Sequence, residues 1–161
     1  MLEKNTLRYA WRMKEILIRE AREEDVAEIL MLYRDAELGA ENEFTVERAR
    51  AQLAVFRRYP NYRIFVAVAD GRAVGTYELP IMDNMAKGGR KSGVVEDVAV
   101  SPDYRGRGVG RAMMMHAREQ CRQESCYKFV LSSNLKRAEA HAFYEALGFE
   151  KHGLSFRVEL E

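Results

Sequence analysis

Between Val94 and Arg111 the chain reads VVEDVAVSPDYRGRGVGR, a stretch that combines groups able to move a proton with groups able to hold an anion. Glu96 and Asp97 are adjacent carboxylates in an otherwise apolar, β-branched run. Neighbours in a regular strand point to opposite faces, so at least one of the two should enter a cleft. A partly buried carboxylate binds its proton more tightly and can take one from an ammonium group, directly or through water. Arg105-Gly106-Arg107-Gly108-Val109-Gly110-Arg111 follows, immediately before a predicted helix. A helix start leaves its first N–H groups without partners, and glycines let a ligand come close to that backbone, so main chain alone can hold a phosphate. The loop is not the nucleotide-binding GxxxxGK[ST], because no Lys-Ser or Lys-Thr follows. Nor is it GxGxxG, because Arg111 stands where the third glycine is needed.

The elements that must position these groups are legible along the chain. Glu15 to Ala21 alternates as a strand, and Arg22-Glu23-Glu24-Asp25 opens a helix that carries Val26, Ile29, Leu30, Leu32 and Tyr33 and stops near Gly39. Thr45 caps a second helix, with Ala49, Leu53 and Phe56 on its buried side, ending by Pro60. Tyr62 to Ala69 and Ala73 to Leu79 are strands joined by the hairpin signal Asp70-Gly71, and Pro80 to Ser92 reads as a loop that Ile81 and Met82 could shorten. A helix from Val109 to Glu124, a strand at Tyr127 to Ser132, a helix from Ala138 to Leu147 closed by Gly148, and a strand pair at Phe149 to His152 and Leu154 to Leu160 complete the order. Residues 1–13 read as an N-terminal extension that need not be ordered, and 14–161 as a single domain. The fold class expected is a mixed α/β sheet with helices on both faces.

Composition narrows the classes further. The chain has 161 residues, 47% of them hydrophobic, which is enough for one full core. Lys and Arg total 26 against 25 Asp and Glu, so no global charge calls for a nucleic acid or a membrane surface. Two cysteines, Cys121 and Cys126, fit neither a disulfide framework nor a zinc or redox pair, and no signal peptide or membrane-length apolar run is present. The expectation is a reduced, cytoplasmic protein without a metal. His116, His152 and Cys126 read as structural, and Phe143 and Phe149 as core.

Arg105-x-x-Gly108-x-Gly110 after an apolar strand resembles the Arg/Gln-x-x-Gly-x-Gly/Ala signature of the GNAT acetyltransferase superfamily, and Ala142-Phe143-Tyr144-Glu145-x-x-Gly148-Phe149 occurs in the family's order downstream. The resemblance implies a mostly antiparallel sheet split between its fourth and fifth strands. It also implies acetyl-coenzyme A as co-substrate, direct attack by an amine in a ternary complex, and no metal. Transferred residue by residue, it makes Glu96 the base or the ligand of a base-side water, with Asp97 second. Tyr144 becomes the group that protonates the departing thiolate. A normal phenol pKa near 10 suits that task. The main chain of Val98, Ala99 and Val100 would pair with the pantetheine arm, and the Val98 N–H would polarise the thioester carbonyl. Arg105, Gly106, Arg107, Gly108, Val109, Gly110 and Arg111 would hold the pyrophosphate, with Asn134, Arg137 and Tyr144 completing the coenzyme site. Asn134 also reads as a helix-entry cap.

The acceptor side implied by the resemblance offers Glu37, Glu41, Tyr77, Glu78, Arg90 and His141. Its acids favour a cationic amine, while Lys87 and Arg90 suit an anionic group on the same small molecule. The tail from Ser132 is similar to aminoalkylphosphonate acetyltransferases, and EDVAVSPDYRGRGVG with CYKFVL is similar to glucosamine-6-phosphate acetyltransferases. Acetylation of a protein or peptide, and a non-catalytic acyl-coenzyme A sensor, are the alternatives. The sensor would need neither Glu96 nor Tyr144. The partner expected is a small-molecule amine, with no nucleic acid or membrane, and the edge of the C-terminal strand pair offers a route to a homodimer.

Overall fold

The structure, a computed structural model, describes residues 7–11, 14–38 and 44–160. Strands β1 (Leu7–Trp11), β2 (Lys14–Glu20), β3 (Tyr62–Ala69), β4 (Arg72–Met82), β5 (Ser92–Val100) and β6 (Lys128–Leu131) form one sheet in the order β1-β2-β3-β4-β5-β6. Pairs from β1 to β5 are antiparallel. β5 and β6 are joined by a helical crossover, the connection that parallel neighbours require. The part of the chain expected to be an extension therefore supplies a strand. Leu7 to Trp11 pair with Ile18 to Lys14 along what would otherwise be an open edge of β2.

Helix α1 (Val26–Asp35) starts after a 3-10 turn of three acids, Glu23–Asp25. Asp25 anchors that start, accepting from the Arg22 N–H at 2.7 Å and from both Arg19 guanidinium nitrogens at 2.6 and 2.8 Å. Helix α2 (Val46–Phe56) is capped by Thr45, whose hydroxyl accepts from the Arg48 N–H at 3.3 Å. The β3–β4 hairpin turns through Asp70 and Gly71, with φ of 55° and 76°, the left-handed pair that a tight hairpin needs.

Strand alternation sorts the core onto two faces. Ile64 and Val66 of β3 pack with Val26, Ile29 and Leu53 of α1 and α2. Phe65, between them, points the other way and meets His116 of helix α3 (Val109–Gln123) edge-on at 4.8 Å. Every residue from Ala73 to Leu79 of β4 is buried, as expected for a central strand covered on both faces. His116 is fully buried and bonded to the Tyr77 hydroxyl, so it is the packing residue its sequence position suggested.

By its contacts the chain divides into two compact units, Met1–Val130 and Leu131–Glu161. The second contains α4 (Ala138–Ala146), which closes at Gly148 with φ 86°. The Phe149 N–H bonds to the Tyr144 carbonyl there at 3.1 Å. The strand pair expected over 149–160 is not formed: the segment has no regular structure, and Leu154, Phe156, Val158 and Leu160 are 77–90% exposed. Alternation makes a strand only when a neighbour supplies hydrogen bonds, and among the described residues none does. Among the described residues no helix is long and apolar enough to cross a membrane.

α3 lies so close to β5 that a Cβ on Gly93 would sit 2.2 Å from the Cys121 sulfur. Gly93→Ala should therefore cost about 1–3 kcal/mol in denaturant unfolding, the usual range for overpacking. In a Cys121→Ala background, where that sulfur is gone, the same substitution should cost much less, and equal costs in both backgrounds would refute the contact.

Candidate active site

The centre of the site is a misalignment between two strands. Thr76 of β4 pairs with Ala99 of β5 and Glu78 with Glu96, so Tyr77 alone faces two residues, Asp97 and Val98. This is a β-bulge, and Asp97 takes the left-handed φ of 48° that it demands. The sequence contains no glycine at that point to announce it.

The bulge overturns the expectation that Glu96 and Asp97 point to opposite faces. In an unbroken strand Asp97 would share the buried face of Val95 and Ala99, but both Glu96 and Asp97 are exposed between them. Both belong to one electrostatic cluster with Glu78, on the side of the sheet that carries α1. Burial raises the proton affinity of Glu96, and the charges of Asp97 and Glu78 raise it further. Burial alone raises that of Asp97. Neither makes a hydrogen bond or ion pair among the described residues, so both are open to a ligand.

Glu78 is different. It is 6% exposed, and its two carboxylate oxygens accept from the Tyr33 hydroxyl of α1 at 3.1 Å and the Tyr62 hydroxyl of β3 at 2.5 Å. Burial raises its proton affinity and so does Asp97, while the two hydroxyls lower it. The tyrosines respond in turn: burial first, then the nearby carboxylates, hold both phenols protonated far above neutral pH. Tyr33 and Tyr62 were not singled out as site residues. Tyr33 has helical spacing with apolar neighbours, and nothing local signals a contact with a residue 45 positions away.

Tyr77, expected on the acceptor side, is a core residue instead. It is fully buried on the α3 face, bonds His116 Nδ1 at 2.5 Å and stacks on Phe65 at 5.2 Å between centroids. Glu37 is exposed just past the end of α1, one turn beyond Tyr33, with φ 55°. Glu41 lies outside the described residues. Arg90 is exposed in the β4–β5 loop, with its guanidinium 5.6 Å from the Tyr127 ring centroid.

The glycine loop has the form expected of an anion cradle. Gly106 and Gly108 take φ of 70° and 86°, and Gly108 is the N-cap of α3 with no side chain to satisfy the helix's first N–H groups. A Cβ on Gly106 would meet nothing within 4 Å, so the loop's approach is open. Val109 is buried and anchors the helix start. Arg105 staples the loop through the Val100 carbonyl at 3.3 Å and the Asp35 carbonyl at 3.4 Å, and Arg107 stacks over Tyr104 at 5.3 Å. Arg111 is exposed in the first turn. β6 lies beside β5, the Tyr127 N–H bonds to the Lys91 carbonyl just before β5 begins, and the four residues of β6 are too few to pair with all nine of β5. The open, positively charged, glycine-lined helix start fits the phosphates of a coenzyme A molecule.

Within the second unit, burial raises the Tyr144 phenol above its ordinary value, with Arg137 opposing, and its ring packs edge-on between Phe143 and Phe149. The Asn134 side chain accepts from the Lys136 N–H at 2.9 Å, forming the turn that leads into α4. Its carbonyl contacts His141 Nε2 at 3.0 Å, so the ring expected to meet substrate is engaged locally.

Within the first unit, the bulged strand with its carboxylates and the glycine-lined helix start bring a proton-accepting cluster and an anion cradle onto consecutive elements. Residues 26–149 match the model of the acetyltransferase (GNAT) family, and the chain belongs to that family. It is similar to a glucosamine 6-phosphate N-acetyltransferase of Trypanosoma brucei brucei, 41% identical over 61% of this chain and 65% of that enzyme, just under two thirds of its length. It is also similar to an aminoglycoside N(6')-acetyltransferase type 1 of Stenotrophomonas maltophilia, 32% identical over 74% of this chain and 75% of that enzyme. A crystal structure of a Trypanosoma brucei acetyltransferase superposes with a TM-score of 0.79 at 33% identity, covering 90% of this chain and 99% of that one.

Gly108→Asp separates a helix start from an anion site. At φ 86° an aspartate is strained, so stability should fall by about 1–2 kcal/mol, and because its carboxylate opposes a phosphate, affinity of the folded variant for coenzyme A in calorimetric titration should fall at least about tenfold. Unchanged affinity would remove the loop from the coenzyme site.

Proposed function

We propose that this protein transfers the acetyl group of acetyl-coenzyme A to the primary amine of a small molecule by direct attack in a ternary complex. The observation that carries the proposal is the bulge at Asp97, which leaves Glu96 and Asp97 together, exposed and unpaired in one cluster with Glu78. When bound, acetyl-coenzyme A supplies the acetyl group as a thioester. Glu96 takes the proton that an ammonium must lose before its nitrogen can attack, and its raised proton affinity brings its working range towards neutrality. Asp97 adds negative charge that favours a cationic acceptor. The bulge interrupts the ladder at Val98, whose N–H is assigned to the carbonyl oxygen on which charge develops. Tyr144, protonated at neutral pH, donates to the departing thiolate. Arg105 to Arg111 hold the pyrophosphate, with Asn134 and Arg137 toward the pantetheine arm.

The acceptor is a small amine, favoured by the carboxylate cluster. Exposed Lys87 and Arg90 suit an anionic group on the same molecule. Aminophosphonates, amino-sugar phosphates, aminoglycosides, polyamines and peptides assayed side by side by thiol release would rank these classes. Small amines should be acetylated with the highest kcat/KM, and a preference for peptides would overturn the assignment. With the best acceptor, Glu96→Gln and Tyr144→Phe should each lower kcat about 100-fold or more, the usual contribution of a general acid or base, and Tyr144→Phe should lower turnover far more than coenzyme A affinity. Full turnover by Tyr144→Phe would end its role as acid.

A cytoplasmic homodimer belongs to the same reading. Leu154, Phe156, Val158 and Leu160 alternate with polar residues and are all exposed in the single chain, which is the pattern of a strand whose partner lies on a second copy. Light scattering should give a dimer mass for the full chain, and Phe156→Asp with Val158→Asp should shift it to the monomer.

A further inference from the structure

Glu78 is buried, charged and outside the reaction just assigned, yet it stands directly across the β4–β5 ladder from Glu96. Like charges opposite each other in a sheet are destabilising, so a chain with no use for the pair has reason to lose one of them. The neighbours of Glu78 point the other way. From α1 comes the Tyr33 hydroxyl and from β3 the Tyr62 hydroxyl, both donating to it. From β5 come Glu96 and Asp97, and α3 lies on the opposite face with its His116 committed to Tyr77. Among the described residues no cation reaches Glu78. Two donors on two oxygens is the arrangement that holds a carboxylate in its ionised form, and a neutral acid would need one of its oxygens to donate.

We propose that Glu78 is a positioning residue that acts through Glu96: two tyrosine hydroxyls hold it as a buried anion, and its charge across the ladder keeps Glu96 proton-avid enough to serve as the base. This rests on the reading of Glu96 as the base, and it moves Glu78 from the substrate-contacting set to the support behind it. A second consequence is directional. Removing either hydroxyl lets Glu78 take up a proton, which removes the charge that Glu96 senses.

The test needs no substrate. The side-chain carboxyl carbon of Glu96 can be followed by NMR through a pH titration of the full chain. In Glu78→Gln its midpoint should fall by about one pH unit or more, the order expected for losing a nearby like charge. Tyr62→Phe, at a half-buried position, should move it the same way by less, and it serves as the test if Glu78→Gln fails to fold. A midpoint that stays put in a folded Glu78→Gln, or in Tyr62→Phe where that variant stands in, overturns the proposal. Full turnover by Glu96→Gln would instead overturn the assignment of the base, so the two failures are distinguishable. With an accepted amine, the acid limb of the kcat/KM profile should follow the NMR midpoint downward in Glu78→Gln. A lower kcat with an unmoved limb would mark Glu78 as merely structural.

Discussion

Two residues of β5 against one of β4 is the constraint on which the site depends. Without the bulge, Asp97 would face the packing layer of α3 beside Val95 and Ala99, where a carboxylate has no partner. With it, two consecutive carboxylates stand exposed between the buried Val95 and Ala99, in one cluster with Glu78. The same interruption frees ladder groups around Val98. One local misfit thus yields two exposed carboxylates and an interrupted stretch of ladder, at the cost of a left-handed Asp97.

The buried carboxylates show how different the site is from the scaffold. Asp25 is buried too, but burial is overcome by hydrogen bonds and charge from Arg19 and Arg22, and its proton affinity falls. It behaves as a structural ion with a proper counter-ion. Glu78 has only neutral hydroxyls and two like charges for company, and its proton affinity rises. Stability explains Asp25 and gives no reason for Glu78. Among the described residues the cluster has no counter-ion, which is the basis for proposing a cationic acceptor.

Much of this was legible in the sequence because it is local. The Asp70-Gly71 hairpin, the Thr45 cap, the glycine-led start of α3 and the Gly148 stop each depend on residues within one turn of each other. So does the glycine loop proposed for the coenzyme. What the sequence hid depends on pairing. The bulge at Asp97 is a property of the register between β4 and β5, and no glycine marks it. Tyr77 and Glu78 are neighbours whose roles diverge only because β4 is covered on both faces. Tyr33 and Tyr62 enter the site from elements that meet at Glu78 through the tertiary fold. The C-terminal alternation failed for the opposite reason, since its pattern is local but its partner strand is not.

Energetics make the Glu78 arrangement a narrow balance rather than a strong clasp. A buried ion costs several kcal/mol even after relaxation, and hydrogen bonds to a charged group return about 1.5–3 kcal/mol each. Two tyrosine donors therefore roughly cancel the burial of Glu78 and leave no surplus to absorb the repulsion from Glu96 and Asp97. A group poised this way changes its ionisation in response to small changes around it, and an incoming ammonium is a large one. As the cation arrives it stabilises all three carboxylates. In the proposed reaction, proton transfer to Glu96 conserves the net charge among cluster and substrate but relieves the repulsion across the ladder. The proton therefore moves toward the position where the fold has concentrated negative charge, and the strain built into the β4–β5 pair favours transfer to Glu96.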